Sequence, residues 1–253
     1  MGMVAGGDFF SELQDFCRER ESASRCAPFE EICCRYEHLY EKYSASYEYL
    51  SRGVEDCAAT RQCSVGGLSM HRGFYSPSHL DMVDSDFKRG TLLKKCTGSL
   101  RRSFEYLFDR FGRMICIYCF RNRNKEWGMS SAELFELTAD GTLGFMYDLR
   151  NERRLVRISE CGYSEADGTL TRYESAVFGA QGISEISIEI PCYEYGQLAG
   201  FYWYRYNPQY RLLNQLRFVF SKNENGVFSE FTVEGYDGFR RMRTSPALLL
   251  SRQ

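Results

Sequence analysis

Two cysteines separated by two residues, Cys116 and Cys119, form the most recognisable chemical pattern in the sequence. A C-x-x-C pair binds zinc in structural sites and exchanges disulfides in redox enzymes. Here the apolar runs between Phe104 and Phe120, divided by a turn, predict a β-hairpin instead. Residues three apart in a strand point to opposite faces of the sheet, so we expect both cysteines to pack in the core and to bind no metal.

A second set of candidate ligands precedes the predicted strands, where all three histidines lie. Cys57, Cys63, His71 and His79 would form a four-ligand zinc site if the fold brought them together, and Cys63 with His71 would form a nucleophile and its base. Neither set has the spacing of a recognised motif. An enzyme whose site lies within residues 57–86 is therefore the third of our functional hypotheses.

Acid–base chemistry within the strands would depend on carboxylates, because no histidine follows residue 79. Glu185 and Glu189 lie on the same face of one predicted strand, about 13 Å apart at ~3.3 Å per residue. That separation exceeds the carboxylate spacing of glycosidases, and both side chains are expected to be solvated. The sequence also has no glycine-rich phosphate loop and no G-x-S-x-G turn. We expect no catalytic residue and no cofactor.

A run of six residues, FYWYRY from residue 201, carries large side chains toward both faces of its predicted strand. Exposed Tyr, Trp and Arg side chains are favoured in protein interfaces, and the same rings stack on sugars or single-stranded bases. Burial of both faces inside a curved sheet is the alternative. The predicted partner-binding surface consists of Tyr202, Trp203, Tyr204, Arg205, Tyr206, Glu185 and Glu189.

One long amphipathic helix is predicted upstream of the strands. After Pro28, apolar or aromatic residues recur at intervals of three and four, and Gly53 is a natural C-cap. Such a helix needs a large apolar surface on which to pack, and the sheet provides one. The apolar stripe comprises Phe29, Ile32, Cys33, Tyr36, Leu39, Tyr40, Tyr43, Tyr47 and Leu50.

Three shorter helices are also predicted. Asp8 caps a first helix over residues 8–20. Residues 54–63 continue as a short helix beyond Gly53. Ser78, with Asp81 three positions later, resembles a capping box and starts the last helix.

From Ser103 onward the apolar period changes to two, and Asp-Gly and Asn-Gly pairs separate the runs. This pattern predicts an antiparallel meander of about nine to ten strands with strong curvature. We expect an α+β fold in which the N-terminal helices pack on a long curved sheet. Its parts are a helical region (1–100), the meander (101–236) and a tail (237–253), together forming one structural unit.

Composition limits the classes of partner. The chain has 253 residues, 15% of them aromatic, and a formal net charge of −2. This charge gives no reason to expect nucleic acid or an anionic membrane as a partner, and no apolar run is long enough for a membrane span. We see no secretory signal, and the 11 scattered cysteines favour a reducing, cytoplasmic location.

Three hairpins have related turn sequences, at residues 108–113, 137–143 and 220–227. They resemble the aromatic-Asp-x-x-Gly-Arg hairpins of YD repeats in Rhs-type proteins, over roughly the C-terminal half. The wider layout resembles bacterial immunity proteins that neutralise polymorphic toxins. That resemblance implies a non-enzymatic cytosolic protein that binds a toxin through its aromatic and acidic sheet face. The alternative function is a module that binds a sugar or a nucleotide in the concavity of the sheet.

Overall fold

The computed structural model describes residues 22–66, 78–84, 91–96, 102–123, 126–138, 141–222, 228–237 and 240–244. Within these ranges the protein is predominantly antiparallel β-sheet, with a few helices. The expected α+β class is therefore met only in its coarse form, because strands supply most of the described structure. The helix predicted at residues 8–20 lies outside the described residues.

Three helices occur in the described part of the chain: α1 spans Ser22–Tyr43, α2 spans Tyr47–Cys57 and α3 spans His79–Asp84. A turn at residues 44–46 separates α1 from α2. The long helix predicted to end at Gly53 is thus two helices. None of the three is long and apolar enough to cross a membrane.

The prediction of a helix over residues 54–63 is wrong beyond Cys57. The strand β1 (Thr60–Val65) follows and pairs antiparallel with β3 (Phe104–Phe108). Apolar residues do not alternate regularly in β1, so the strand owes its conformation mainly to its hydrogen-bonded neighbour, which local periodicity does not reveal.

Thirteen strands form a single antiparallel sheet among the described residues. From β3 to β13 the order in the sheet is the order in the chain, whereas β1 and then β2 add at the edge beside β3. The predicted meander is present, with eleven strands after Ser103. The remaining strands are β2 Thr91–Leu92, β4 Met114–Arg123, β5 Glu126–Leu137, β6 Gly141–Asp148, β7 Arg154–Tyr163, β8 Leu170–Gly179, β9 Gly182–Glu194, β10 Gln197–Asn207, β11 Leu212–Lys222, β12 Phe228–Asp237 and β13 Arg240–Thr244.

Helices α1 and α2 pack on one face of the sheet, here called the helix face. The predicted apolar stripe is confirmed, because each of its members is buried or partly buried in the core between the helices and the strands. The ring centroid of Phe29 lies 5.0 Å from that of Tyr206. Arg35 forms ion pairs with Glu160 and Glu174 of the sheet. These contacts fix α1 across β7, β8 and β10.

The opposite face of the sheet carries α3 and is here called the strap face. Residues 78–84, which comprise Ser78 and α3, are called the strap. Cys116 belongs to the core on the helix face, whereas Cys119 packs against an apolar cluster on the strap face. The prediction that strand alternation separates these two sulfurs is confirmed.

One pair of cysteines departs from the expectation of free thiols. Cys63 and Cys96 form a disulfide with a Cα–Cα distance of 5.4 Å and a sequence separation of 33 residues. The strap lies between the two cysteines, so the bond closes the loop that carries it. The free cysteines among the described residues are Cys33, Cys34, Cys57, Cys116, Cys119, Cys161 and Cys192.

Candidate functional site

Glu189, in β9, holds the strap on the sheet. Its carboxylate is buried, and Oε1 accepts a hydrogen bond of 2.6 Å from the hydroxyl of Ser78. Oε2 accepts hydrogen bonds from the backbone N–H groups of His79 and Leu80. These are first-turn donors of α3 that have no partner within the helix. Glu189 is therefore a buried helix anchor, not the solvated residue that strand alternation predicts, because the strap covers its face of the strand.

The strap is also stabilised by its own cap and by apolar contacts. Ser78 Oγ accepts a hydrogen bond of 3.2 Å from the N–H of Asp81, which confirms the predicted start of the helix. Leu80 and Val83 pack against the apolar cluster of the strap face that includes Phe201. Polar and apolar contacts thus fix the strap over β9 and β10.

Buried Glu133 and partly buried Arg157 form an ion pair on the strap face. Arg157 Nη2 lies 3.1 and 3.2 Å from the two carboxylate oxygens of Glu133. Burial raises the pKa of Glu133, and it raises the pKa of the neighbouring Tyr173. Burial acts to lower the pKa of Arg157, but Tyr173, Glu133 and Asp81 raise it more, so the guanidinium stays charged. The protein thus holds a charged and hydrogen-bonding cluster within an apolar sheet.

Three buried polar atoms near the strap have no hydrogen-bond partner among the described residues: Arg157 Nε, Tyr173 Oη and His79 Nδ1. The His79 atom lies 3.7 Å from Glu189 Oε2, which is beyond hydrogen-bonding distance. Buried polar groups are normally satisfied. These three atoms are exceptions to that rule among the described residues.

His79 also lines a cleft of about 940 Å³ on the strap face. This volume falls within the range of small-molecule sites, which are roughly 300–1,000 Å³. The cleft lies at the end of the sheet where the odd-numbered strands β3 to β9 lead into their turns. Its other principal side chains are four rings and two hydroxyl groups: Phe108, Phe135, Tyr163, Tyr193, Thr142 and Thr169.

Small residues on the strap face make room for the ring of Phe135. Gly144 pairs with Phe135, and a Cβ at Gly144 would lie 3.1 Å from that ring and 2.5 Å from Ser159 Oγ. In the same register, Gly144, Ser159, Ser175 and Ser187 pair successively across β6 to β9. Because these four residues are small, they leave space above the strap face beside the cleft.

Asp109 fixes the turn that forms one wall of the cleft. Its Oδ1 accepts hydrogen bonds of 2.8 and 2.9 Å from the N–H groups of Phe111 and Arg113, and Oδ2 accepts one of 2.8 Å from Arg113 Nε. Burial acts to raise the pKa of Asp109, but the bonds from Arg113 and Phe111 lower it more. Gly112, at φ 76°, has the left-handed conformation that glycine favours. The charge of Arg113, which lines the cleft, is thus paired within its own turn.

Three residues of the predicted partner surface lie on the helix face. Tyr204 and Tyr206 are fully buried beneath α1, and Tyr202 is partly buried in the same core. Alternation assigns the three tyrosines correctly to one face. Because the helices cover that face, these residues are part of the packing between helix and sheet.

The remaining residues of that predicted surface lie on the strap face. Trp203 is half-buried, and its Nε1–H donates a hydrogen bond of 2.7 Å to Ser187 Oγ. Arg205 pairs with Glu185 at 2.6 Å, with 48% of the arginine side chain exposed. With Glu189 buried, the accessible part of the predicted surface is Arg205, together with the partly exposed Glu185 and Trp203.

The candidate metal and nucleophile sets are not assembled. Cys63 is held in a disulfide, so it supplies no thiolate, and His71 lies outside the described residues. His79 lies in the cleft instead. No group of three or more His, Cys, Asp or Glu side chains in the described part of the chain is arranged to bind a metal ion.

Comparison with known proteins adds little. No family model matches the chain. No curated protein matches it either. A crystal structure of a Bacteroides fragilis protein of unknown function is similar over 41% of this chain and 81% of its own, with 16% identity and a TM-score of 0.30. A likeness this weak supports no statement about fold or function.

Sequence reasoning missed the polar cluster of Glu133, Arg157 and Tyr173. The signal for it was present, because Glu133 and Arg157 are charged residues within otherwise apolar strands. Such residues are costly to bury unless they are paired. Their pairing depends on the registers of β5, β6 and β7, in which Met146 pairs with both residues.

Proposed function

We propose that this protein is a non-enzymatic binding protein that holds a neutral carbohydrate in the cleft of the strap face. The observation that carries the proposal is the lining of the cleft, in which rings from four separate strands surround about 940 Å³. The C–H groups of a sugar ring are attracted to the negative face of an aromatic ring. The hydroxyl groups of Thr142 and Thr169 are suited to hydrogen bonds with sugar hydroxyls.

Charge favours a sugar over a nucleotide as the ligand. A phosphate group needs an unpaired guanidinium, an ammonium or a set of backbone N–H groups. Arg113 lines the cleft, but Asp109 already accepts hydrogen bonds from its side chain. The described residues of the cleft therefore provide no unpaired positive charge of the kind that a nucleotide would require, and they suit an uncharged ligand.

Titration calorimetry with wild-type protein and a Tyr163→Ala variant tests this proposal. Tyr163 lies in the cleft and is 41% exposed, so removing its ring deletes a stacking surface without opening the core. We expect a neutral glycan identified on a glycan array to bind the variant about tenfold or more weakly. Tyr210→Ala is the matched control, because Tyr210 is 72% exposed and lies in a turn at the opposite end of the sheet. Tight binding of ATP with no retention of any neutral glycan would refute the proposal.

Inhibition of a partner toxin is the second candidate function. It is supported by the exposed Arg205–Glu185 pair beside Trp203, the accessible remainder of the aromatic and acidic surface. Its test is co-purification with a toxin-like protein encoded next to the gene, followed by Arg205→Ala. Loss of that complex with retained folding would favour this function, and unchanged binding would exclude this surface.

We also propose that the protein works in the cytoplasm, which the seven free cysteines among its described residues support, although the Cys63–Cys96 disulfide is of a kind more common in oxidising compartments. Fractionation of cells followed by thiol labelling tests this setting. Recovery in an oxidising compartment would contradict it.

A further inference from the structure

We propose that the natural ligand is an extended oligosaccharide that lies across the strand ends, with the cleft holding one of its several sugar units. This inference rests on the carbohydrate-binding function proposed above and specifies the size of the ligand. It assigns a contact role to a row of exposed aromatic side chains, here called the rim: Phe111, Tyr163, Tyr193 and Tyr195.

All four rim residues lie at the same end of the sheet. In a meander, successive turns alternate between the two ends of the sheet, so the turns that follow β3, β7 and β9 lie at the same end. The rim residues lie in these turns or directly beside them. Phe111 is 67% exposed and Tyr195 is fully exposed, while Tyr163 and Tyr193 are exposed by 41% and 38%. Large apolar side chains in contact with water at several neighbouring turns are typical of a binding surface.

The rim is longer than one sugar unit. Tyr163 and Tyr193 line the cleft, whereas Phe111 and Tyr195 lie in the turns on either side of it. From β4 to β9 there are five inter-strand spacings of about 4.8 Å, or about 24 Å in total. A pyranose ring is similar in size to one aromatic side chain, so a single sugar cannot contact both ends. A chain of several sugars can do so.

The charges along the rim favour a neutral polymer. At one end the guanidinium of Arg110 lies over the ring of Phe111, 4.7 Å from its centroid. At the other end, Glu194 is exposed next to Tyr195. Opposite charges at the two ends give no net attraction for a polyanion such as single-stranded nucleic acid, which binds basic grooves. Stacking on the rings is independent of ligand charge, so the rim suits uncharged sugar units.

Calorimetry with ligands of increasing length tests the proposal. The probes are glucose and its α-1,4- and β-1,4-linked oligomers, and the β-1,4-linked oligomers of N-acetylglucosamine, from one to about six units. The proteins are wild type, a Phe111→Ala/Tyr195→Ala double variant and the Tyr210→Ala control. We expect wild type to bind one series more tightly as length increases. The double variant should lose about tenfold or more of the affinity for the longest member while retaining that for the single sugar.

The outcomes separate this inference from the function on which it rests. Two outcomes overturn the extended-ligand inference alone. One is binding of a single sugar with no gain in affinity for longer oligomers, and the other is a length-dependent gain in affinity that the double variant retains. Failure of every sugar in all three series overturns the inference together with the carbohydrate function. Oligothymidylates of the same range of lengths are the nucleic-acid probe, and a length-dependent gain for them in place of sugars overturns both and assigns the rim to nucleic acid.

Discussion

The hydroxyl of Ser78 donates a hydrogen bond of 2.6 Å to Oε1 of Glu189, although 111 residues separate the two in the chain. Both residues are buried. The contact joins the segment between β1 and β2, which lie at one edge of the sheet, to a strand near its middle. It thereby determines where His79 enters the cleft.

Replacement of Glu189 by Gln should destabilise the protein by about 2 kcal/mol, because a charged acceptor of three hydrogen bonds is lost while its donors stay buried. Urea denaturation measures the change. Glu185→Gln is the control on the same strand face and should cost less than about 1 kcal/mol, since its pair with Arg205 is partly exposed. Equal effects of the two substitutions would contradict the anchoring role of Glu189.

Loss of the Cys63–Cys96 disulfide should lower the free energy of unfolding by about 3–4 kcal/mol, the chain-entropy value for a loop of 33 residues. We expect dithiothreitol to reduce the denaturation midpoint of wild type but not that of Cys63→Ser/Cys96→Ser. Cys192→Ser, which removes a free thiol, serves as the control. An unchanged midpoint in wild type on reduction would mean that the bond contributes nothing to stability.

Removing the hydroxyl group of Tyr36 and that of Tyr43, both in α1, should have different effects on the free energy of unfolding. The buried hydroxyl of Tyr36 has no hydrogen-bond partner among the described residues, so Tyr36→Phe should be neutral or stabilising. Tyr43 donates a hydrogen bond of 2.9 Å to Glu136, so Tyr43→Phe should cost about 1 kcal/mol. Thermal unfolding of the two variants provides the comparison, and a larger loss for Tyr36→Phe would reveal an additional partner for its hydroxyl.

Asp109 should contribute to the acid sensitivity of the protein. Its pKa is lowered in the folded state, so the stabilisation that it supplies is present above its ordinary pKa and is lost as the pH falls through the lowered value. We therefore expect Asp109→Asn to reduce stability at neutral pH and to flatten the fall in stability below about pH 4. Chemical denaturation across this range gives the comparison. Parallel pH profiles for the two proteins would show that the carboxylate does not titrate with folding.

Sequence pattern predicted the features of the fold that depend on residues close together in the chain. The apolar stripe of α1 and α2, the capping of α3 by Ser78 and the separation of Cys116 from Cys119 each follow from a fixed helix or strand period. The long meander was also predictable, because its strands have an apolar period of two and the turns between them carry Asp-Gly and Asn-Gly pairs.

The residues of the candidate site are brought together by contacts between distant parts of the chain, which no local sequence period reveals. Glu189 is predicted to be solvated by alternation, yet it is buried because a segment 111 residues away covers it. The cleft likewise combines His79 with residues from β3 to β9, and the position of Phe135 in it depends on the absence of a side chain at Gly144. These features need the strand registers and the path of the strap, which exist only in the folded chain.

The position of α1 has a consequence for synthesis on the ribosome. Arg35 pairs with Glu174, which is made 139 residues later, and Phe29 packs on Tyr206, later still. Because synthesis adds about 5–20 residues per second, on the order of ten seconds pass before the residues that contact the apolar side of α1 have been made. The strands from β3 onward pair with the neighbour made just before them, so the sheet grows hairpin by hairpin during this interval. Helix α1 is thus made before the sheet on which it packs, and its apolar stripe is open to chaperones and to aggregation until β10 has been made.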